Sequence, residues 1–140
     1  MTVDDVVEEF KSAANAFALG NPEPVKSLYS RGDDVTLANP FGPAVLGWEN
    51  VSAALDYASS RFSDGEITEF KNIARYEADD LVTFFDTERW RARVGGGDVT
   101  DFELRVTTTY RNEQGKWKIV HRHADPIATA DSEGPLRRTS

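Results

Sequence analysis

Two histidines separated by one residue close the run Gly115-Lys116-Trp117-Lys118-Ile119-Val120-His121-Arg122-His123-Ala124-Asp125. Imidazole gains and loses a proton near neutral pH. If the run is a regular strand, alternation sets Trp117, Ile119, His121, His123 and Asp125 on one face and Lys118, Val120 and Arg122 on the other. Two imidazoles beside a carboxylate form a proton-transfer pair, which makes His121 and His123 the catalytic candidates. The competing reading places one histidine in a hydrogen bond within the sheet and the other at a rim or subunit contact. A metal site would need oxygen ligands from Glu88 or Asp125. Two imidazoles alone do not hold a metal and no third ligand stands at a recognisable spacing, so no metal is assigned.

Other polar and aromatic side chains fall on the preceding strands. Phe84, Asp86, Glu88, Trp90 and Ala92 share one face of theirs, with Phe85, Thr87, Arg89, Arg91 and Arg93 on the other. The next strand divides into Phe102, Leu104, Val106, Thr108 and Tyr110 against Glu103, Arg105, Thr107 and Thr109. One extra residue in any strand would exchange the faces, so the pattern leaves open which set points inward. Glu88, Trp90 and Asp125 are candidates for contacting a ligand. Arg105 has the planar fork that binds a carboxylate or phosphate, against a cross-strand salt bridge with Glu88 or Glu103 as its structural use. Phe41 and Trp48 border a loop and are ligand candidates of the aromatic kind.

The elements that must position these residues follow from periodicity. Val3, Val6, Val7, Phe10, Ala14 and Phe17 recur at helical spacing, with Thr2 and Asp5 at the start and Gly20 at the stop. Asn21-Pro22 opens a shorter helix bearing Val25, Leu28 and Tyr29. Val35-Thr36-Leu37-Ala38 is a short strand, and Gly42, Pro43 and Gly47 mark a loop after it. A third helix carries Trp48, Val51, Leu55, Ala58 and Phe62 on its apolar side. Strands are predicted near 66–77, 81–94, 99–111 and 116–124, separated by Asp79-Asp80, Gly95-Gly96-Gly97 and Glu113-Gln114-Gly115. Short turns between long strands make an antiparallel meander, and helices followed by a meander give an α+β domain. Residues 1–126 form one domain in this reading, with 127–140 as a loose polar tail.

Composition narrows the function classes. The 140 residues include 24 acidic and 16 basic ones, a formal charge of −8, which ill suits nucleic acid or an anionic membrane. Cysteine is absent, so disulfides and thiolate metal sites are excluded. No stretch has the length and apolarity of a membrane span, and the acidic start lacks a signal-peptide core; a cytoplasmic protein is expected.

The order of three helices, a short strand and four long antiparallel strands resembles the nuclear transport factor 2-like superfamily. Leu37-Ala38-Asn39-Pro40-Phe41-Gly42 resembles the loop before the third helix in ketosteroid isomerases and SnoaL-like proteins. The run from Gly115 to His123 is similar to the last strand of the SnoaL-like branch and of the calcium/calmodulin-dependent kinase II association domain. The resemblance implies a cone-shaped roll, three helices packed into a strongly curved antiparallel sheet around a pocket for a hydrophobic or aromatic small molecule. It also implies a homodimer with its sheets back to back. By the same analogy Asn39 faces the pocket, where an amide can orient a carbonyl or water without exchanging protons. Asn39, Ala13 and Thr107 stand where ketosteroid isomerase has its base and its two oxyanion donors, so that isomerase's mechanism is not expected. A cofactor-independent acid–base enzyme of the isomerase, dehydratase or cyclase kind is the leading expectation. The alternatives are a binding module and an oligomerisation module.

Overall fold

The computed structural model describes residues 1–126, and the expected C-terminal tail lies outside them. The first helix, α1 (Val3–Ala18), starts on the capping box predicted from Thr2 and Asp5, each side chain bonding the other's backbone N–H. Its stripe of Val3, Val6, Phe10, Ala13 and Ala14 is buried, as the periodicity requires. Helix α2 (Glu23–Lys26) is one turn long, and α3 (Trp48–Ser60) buries Val51, Leu55 and Ala58.

The sheet has six strands: β1 (Thr36–Asn39), β2 (Gly42–Leu46), β3 (Phe62–Glu77), β4 (Leu81–Val94), β5 (Val99–Glu113) and β6 (Lys116–Pro126). Their order is β2-β1-β6-β5-β4-β3, and β3 to β6 form the expected antiparallel meander. Two features depart from the sequence reading. Residues 42–46 are a strand hairpinned to β1, although their glycine and proline pointed to a loop, and β1 lies parallel to β6, which makes the sheet mixed. The parallel pairing is reached through the long excursion of α3 and the meander, the kind of connection parallel neighbours need. Phe62 opens β3 instead of closing α3, because the helix ends at Ser60.

The curled, unclosed sheet wraps its inner face around α1 and α3. Gly65 brings α1 against β3: a Cβ there would strike the carbonyl oxygen of Ala18 and lie 2.9 Å from its Cβ. No helix among the described residues is long and apolar enough to cross a membrane.

Candidate functional site

The interior of the curl is set by a bulge in β6. The β5–β6 ladder pairs Tyr110 with Ile119 and then Thr109 with His121, so Val120 has no partner opposite it. Ile119 and Arg122, three apart, therefore both face inward, and Ala124 follows them. His121 and His123 turn to the outer face, where Thr36 and Ala38 lie alongside in β1. Regular alternation had placed His121 with Ile119; the extra residue breaks that pattern.

The bulge brings Arg122 over Glu88. Both carboxylate oxygens of Glu88 accept from Arg122 Nη2 at 3.2 Å, and Trp90 Nε1 donates to Glu88 Oε1 at 3.0 Å. Glu88 is only 2% exposed, so its charge is taken out of water and compensated by this guanidinium and indole. Burial alone would lower the affinity of Arg122 for its proton, and Glu88, with Tyr29 and Tyr110 beside it, more than offsets that and keeps the guanidinium charged. Arg122 also lies over the ring of Phe10 from α1, 4.9 Å from its centroid. The hydroxyl of Tyr29 is buried in the same region without a hydrogen-bond partner among the described residues, and burial raises its pKa to about 12.

On one side of this ion pair a cavity of about 300 Å³ opens beneath α1. Phe10 from α1, Phe70 from β3, and Phe84 and Tyr110 from the meander form its apolar wall. Asp86 on β4 is half-buried in it, and its Oδ1 accepts from Asn72 Nδ2 at 2.7 Å. Desolvation raises the Asp86 pKa above the ordinary carboxylate value and the nearby Glu88 charge adds to this, while the Asn72 bond and the charges of Arg122 and Lys11 oppose it. A carboxyl whose proton affinity is lifted by burial, facing a cavity, is equipped to exchange a proton with a bound molecule. On the other side a smaller apolar chamber, about 50 Å³, is lined by Phe17, Phe41, Phe62 and Trp90, with Arg122 at its boundary.

The residues singled out in the sequence scatter relative to these chambers. Glu88 and Trp90 point inward and touch each other. Asn39 and Phe41 line the smaller chamber, but the Asn39 side-chain oxygen accepts from the Phe41 N–H at 2.9 Å and is committed to that turn. Phe41 meets Phe62 edge to face at 5.4 Å. Trp48 lines neither chamber; it packs against Tyr29 and lies under the Arg31 guanidinium, 3.8 Å from ring centroid to Cζ.

Arg105 and Asp125 are ladder partners on the outer face, joined by two bonds of 3.0 and 3.1 Å, so Arg105 is paired with neither of the glutamates considered for it. His121 Nδ1 lies 2.8 Å from Thr36 Oγ1, and burial with the neighbouring His123 lowers its pKa. His123 is exposed. Of the two oxygen ligands considered for a metal with the histidines, Glu88 lies inside the sheet, and Asp125, on the outer face with them, is bonded to Arg105. Asp86, Tyr110, Phe10 and Arg122 were missed as site residues. Asp86 stood on the Glu88 face in the strand pattern, whereas Arg122 could be found only by knowing the bulge.

Comparison with known proteins agrees with this architecture. A family model described as a SnoaL-like domain matches residues 6–129. No curated protein matches the chain by sequence. Among solved structures, a ketosteroid isomerase-like protein from Erwinia carotovora atroseptica superposes with a TM-score of 0.73 at 15% identity, covering 90% of this chain and 94% of that one. A nuclear transport factor 2-like superfamily protein from Salmonella enterica serovar Typhimurium gives 0.72 at 17% identity, covering 95% and 99%. A candidate dehydratase of the same superfamily from Streptomyces avermitilis gives 0.69 at 21% identity, covering 91% and 100%. At these identities the likeness is one of fold.

Proposed function

From the premise that this chain belongs to the SnoaL-like domain family, we propose that it holds a small organic molecule in the cavity beneath α1 and exchanges a proton with it through Asp86. The observation that carries this reading is the half-buried Asp86 carboxyl, raised in pKa by desolvation and facing a cavity of about 300 Å³. That volume is at the lower end of small-molecule sites. The Glu88–Arg122 pair, braced from behind by Trp90, forms a fixed polar floor that orients the ligand, and Phe10, Phe70 and Phe84 hold its apolar part. Isomerisation, dehydration and ring closure are the reaction classes that one such carboxyl serves.

The proton-transfer role expected of His121 and His123 would need a substrate on the outer face of the sheet, so the two assignments separate by mutation. In a screen of isomerisation, dehydration and ring-closure substrates, turnover should fall about 10²- to 10⁴-fold in Asp86→Asn, the usual worth of a general acid or base. It should persist in His123→Ala. Full activity of Asp86→Asn, or its loss in His123→Ala, would move the chemistry off Asp86. Binding in the cavity with no turnover in any class would leave a binding module.

The outer face supports a second, compatible reading, a homodimer through the sheet. Phe85 is 36% exposed there, with half-buried Thr83, Thr107 and Thr109 beside it. An apolar ring among short hydroxylated side chains on a broad sheet suits a second copy better than water.

A further inference from the structure

We infer that the ligand of the cavity beneath α1 is a small amphipathic cation, a protonated amine carried on an aromatic or similarly apolar body. This inference rests on the cavity being the binding site proposed above. It follows from which charges around the cavity are already paired. Arg122 is held by Glu88 through two contacts of 3.2 Å. Arg75 is held by Asp4 and, at 2.9 Å, by Glu77. Lys11 is held by Glu8 at 3.2 Å. Lys71, the remaining cation of the lining, pairs in register with Thr87 and projects from the opposite side of the sheet to Asn72 and Asp86. Asp86 is left with a neutral amide, Asn72, as its hydrogen-bond partner.

Among the described residues, Arg122, Arg75 and Lys11 on the inner wall thus each contact a carboxylate, whereas Asp86 feels Arg122 and Lys11 only through space and makes its own hydrogen bond to a neutral amide. An anionic ligand would have to displace Glu88 from Arg122 and would meet Asp86 besides, two like-charge contacts in a poorly solvated space. A cation would meet Asp86 directly. The rings are also arranged for positive charge: Lys11, Arg75 and Arg122 stand over Phe70, Phe84 and Phe10 at 6.0, 5.0 and 4.9 Å from the centroids. An ammonium nitrogen at Asp86 leaves its apolar body to pack against Phe70 and Phe84, which line the same cavity.

The test compares three probes of one shape, benzylamine, benzyl alcohol and benzoate, titrated at neutral pH and followed by backbone-amide NMR shifts. Benzylamine is expected to shift amides of α1, β3 and β4 and to bind about tenfold tighter than the alcohol, the worth of one charge-assisted hydrogen bond. Benzoate should bind more weakly than either. Asp86→Asn should erase the preference, Asp86→Ser should do the same if that variant fails to fold, and Glu49→Gln on the exposed start of α3, away from the cavity, should keep it. If the alcohol binds in the cavity as tightly as the amine, if benzoate is preferred, or if the preference survives at Asp86→Asn, the cationic class is wrong while the cavity stands. If none of the three shifts those amides, the cavity is not the binding site and both readings fall.

Discussion

Asp86 and His121 carry perturbed proton affinities of opposite sign, and each ties stability to pH in its own direction. The Asp86 pKa is raised by burial, so the native state binds the carboxyl proton more tightly than the unfolded chain does. Its stabilising contribution is complete below the unfolded-chain value and disappears as pH rises through the folded value. Asp86→Asn keeps the acceptor for Asn72 and removes the ionisation. Its melting temperature should match the wild type in acid and exceed it increasingly as pH rises through the raised carboxylate range. A constant difference across pH would mean Asp86 does not titrate in the native state.

His121 behaves in reverse. Its pKa is lowered from 6.5, chiefly by burial, so the native state prefers neutral imidazole and stability is present above that value. It is lost as pH falls below 6.5 toward the folded pKa, and His121→Gln should flatten this part of the profile. Equal acid sensitivity in the variant would assign the effect to another group.

The elements meet the site through two local irregularities. The bulge at Val120 puts Arg122 inside, and Gly65 lets α1 sit close enough to β3 to roof the cavity with Phe10 and Lys11. Gly65→Ala would drive a methyl group into the Ala18 backbone, where neither side can yield, so α1 must move. Overpacking of this kind costs about 1–3 kcal/mol. Chemical denaturation should show that loss, together with weaker binding of any cavity ligand. A variant as stable as the wild type would show that the helix rides more loosely than the packing indicates.

At the scale of the whole molecule, the sheet divides its duties between two faces. The inner face holds the compensated Glu88–Arg122 charge and the cavity; the outer face holds the histidines, the Arg105–Asp125 pair and Phe85. A dimer through the outer face would bury roughly 800 Å² per partner if it is of ordinary size. Light scattering at micromolar concentration should return twice the chain mass, and Phe85→Glu should return the chain mass with an unchanged circular dichroism spectrum. A wild-type monomer would overturn the back-to-back arrangement.

Much of the architecture was legible in the sequence because it is written in short-range patterns. The capping box at Thr2, the apolar stripe of α1 and the Gly-rich turns at 95–97 depend on neighbours a few residues away, and such patterns survive reading along the chain. The four-strand meander follows from them. The glycine and proline of β2 misled, because an edge strand tolerates both where a central strand would not. The site was legible only in part. Glu88 and Trp90, named as ligand candidates without a choice of face, lie on the inward face of β4, and Asp86 stood in the same pattern. Which face of β6 turns inward was decided by one unpaired residue, Val120, opposite a register shift between Thr109 and Tyr110. Side chains alternate with a period of two, so a single extra residue exchanges His121 for Arg122 across the sheet, and only the pairing of strands in space reveals where that residue falls.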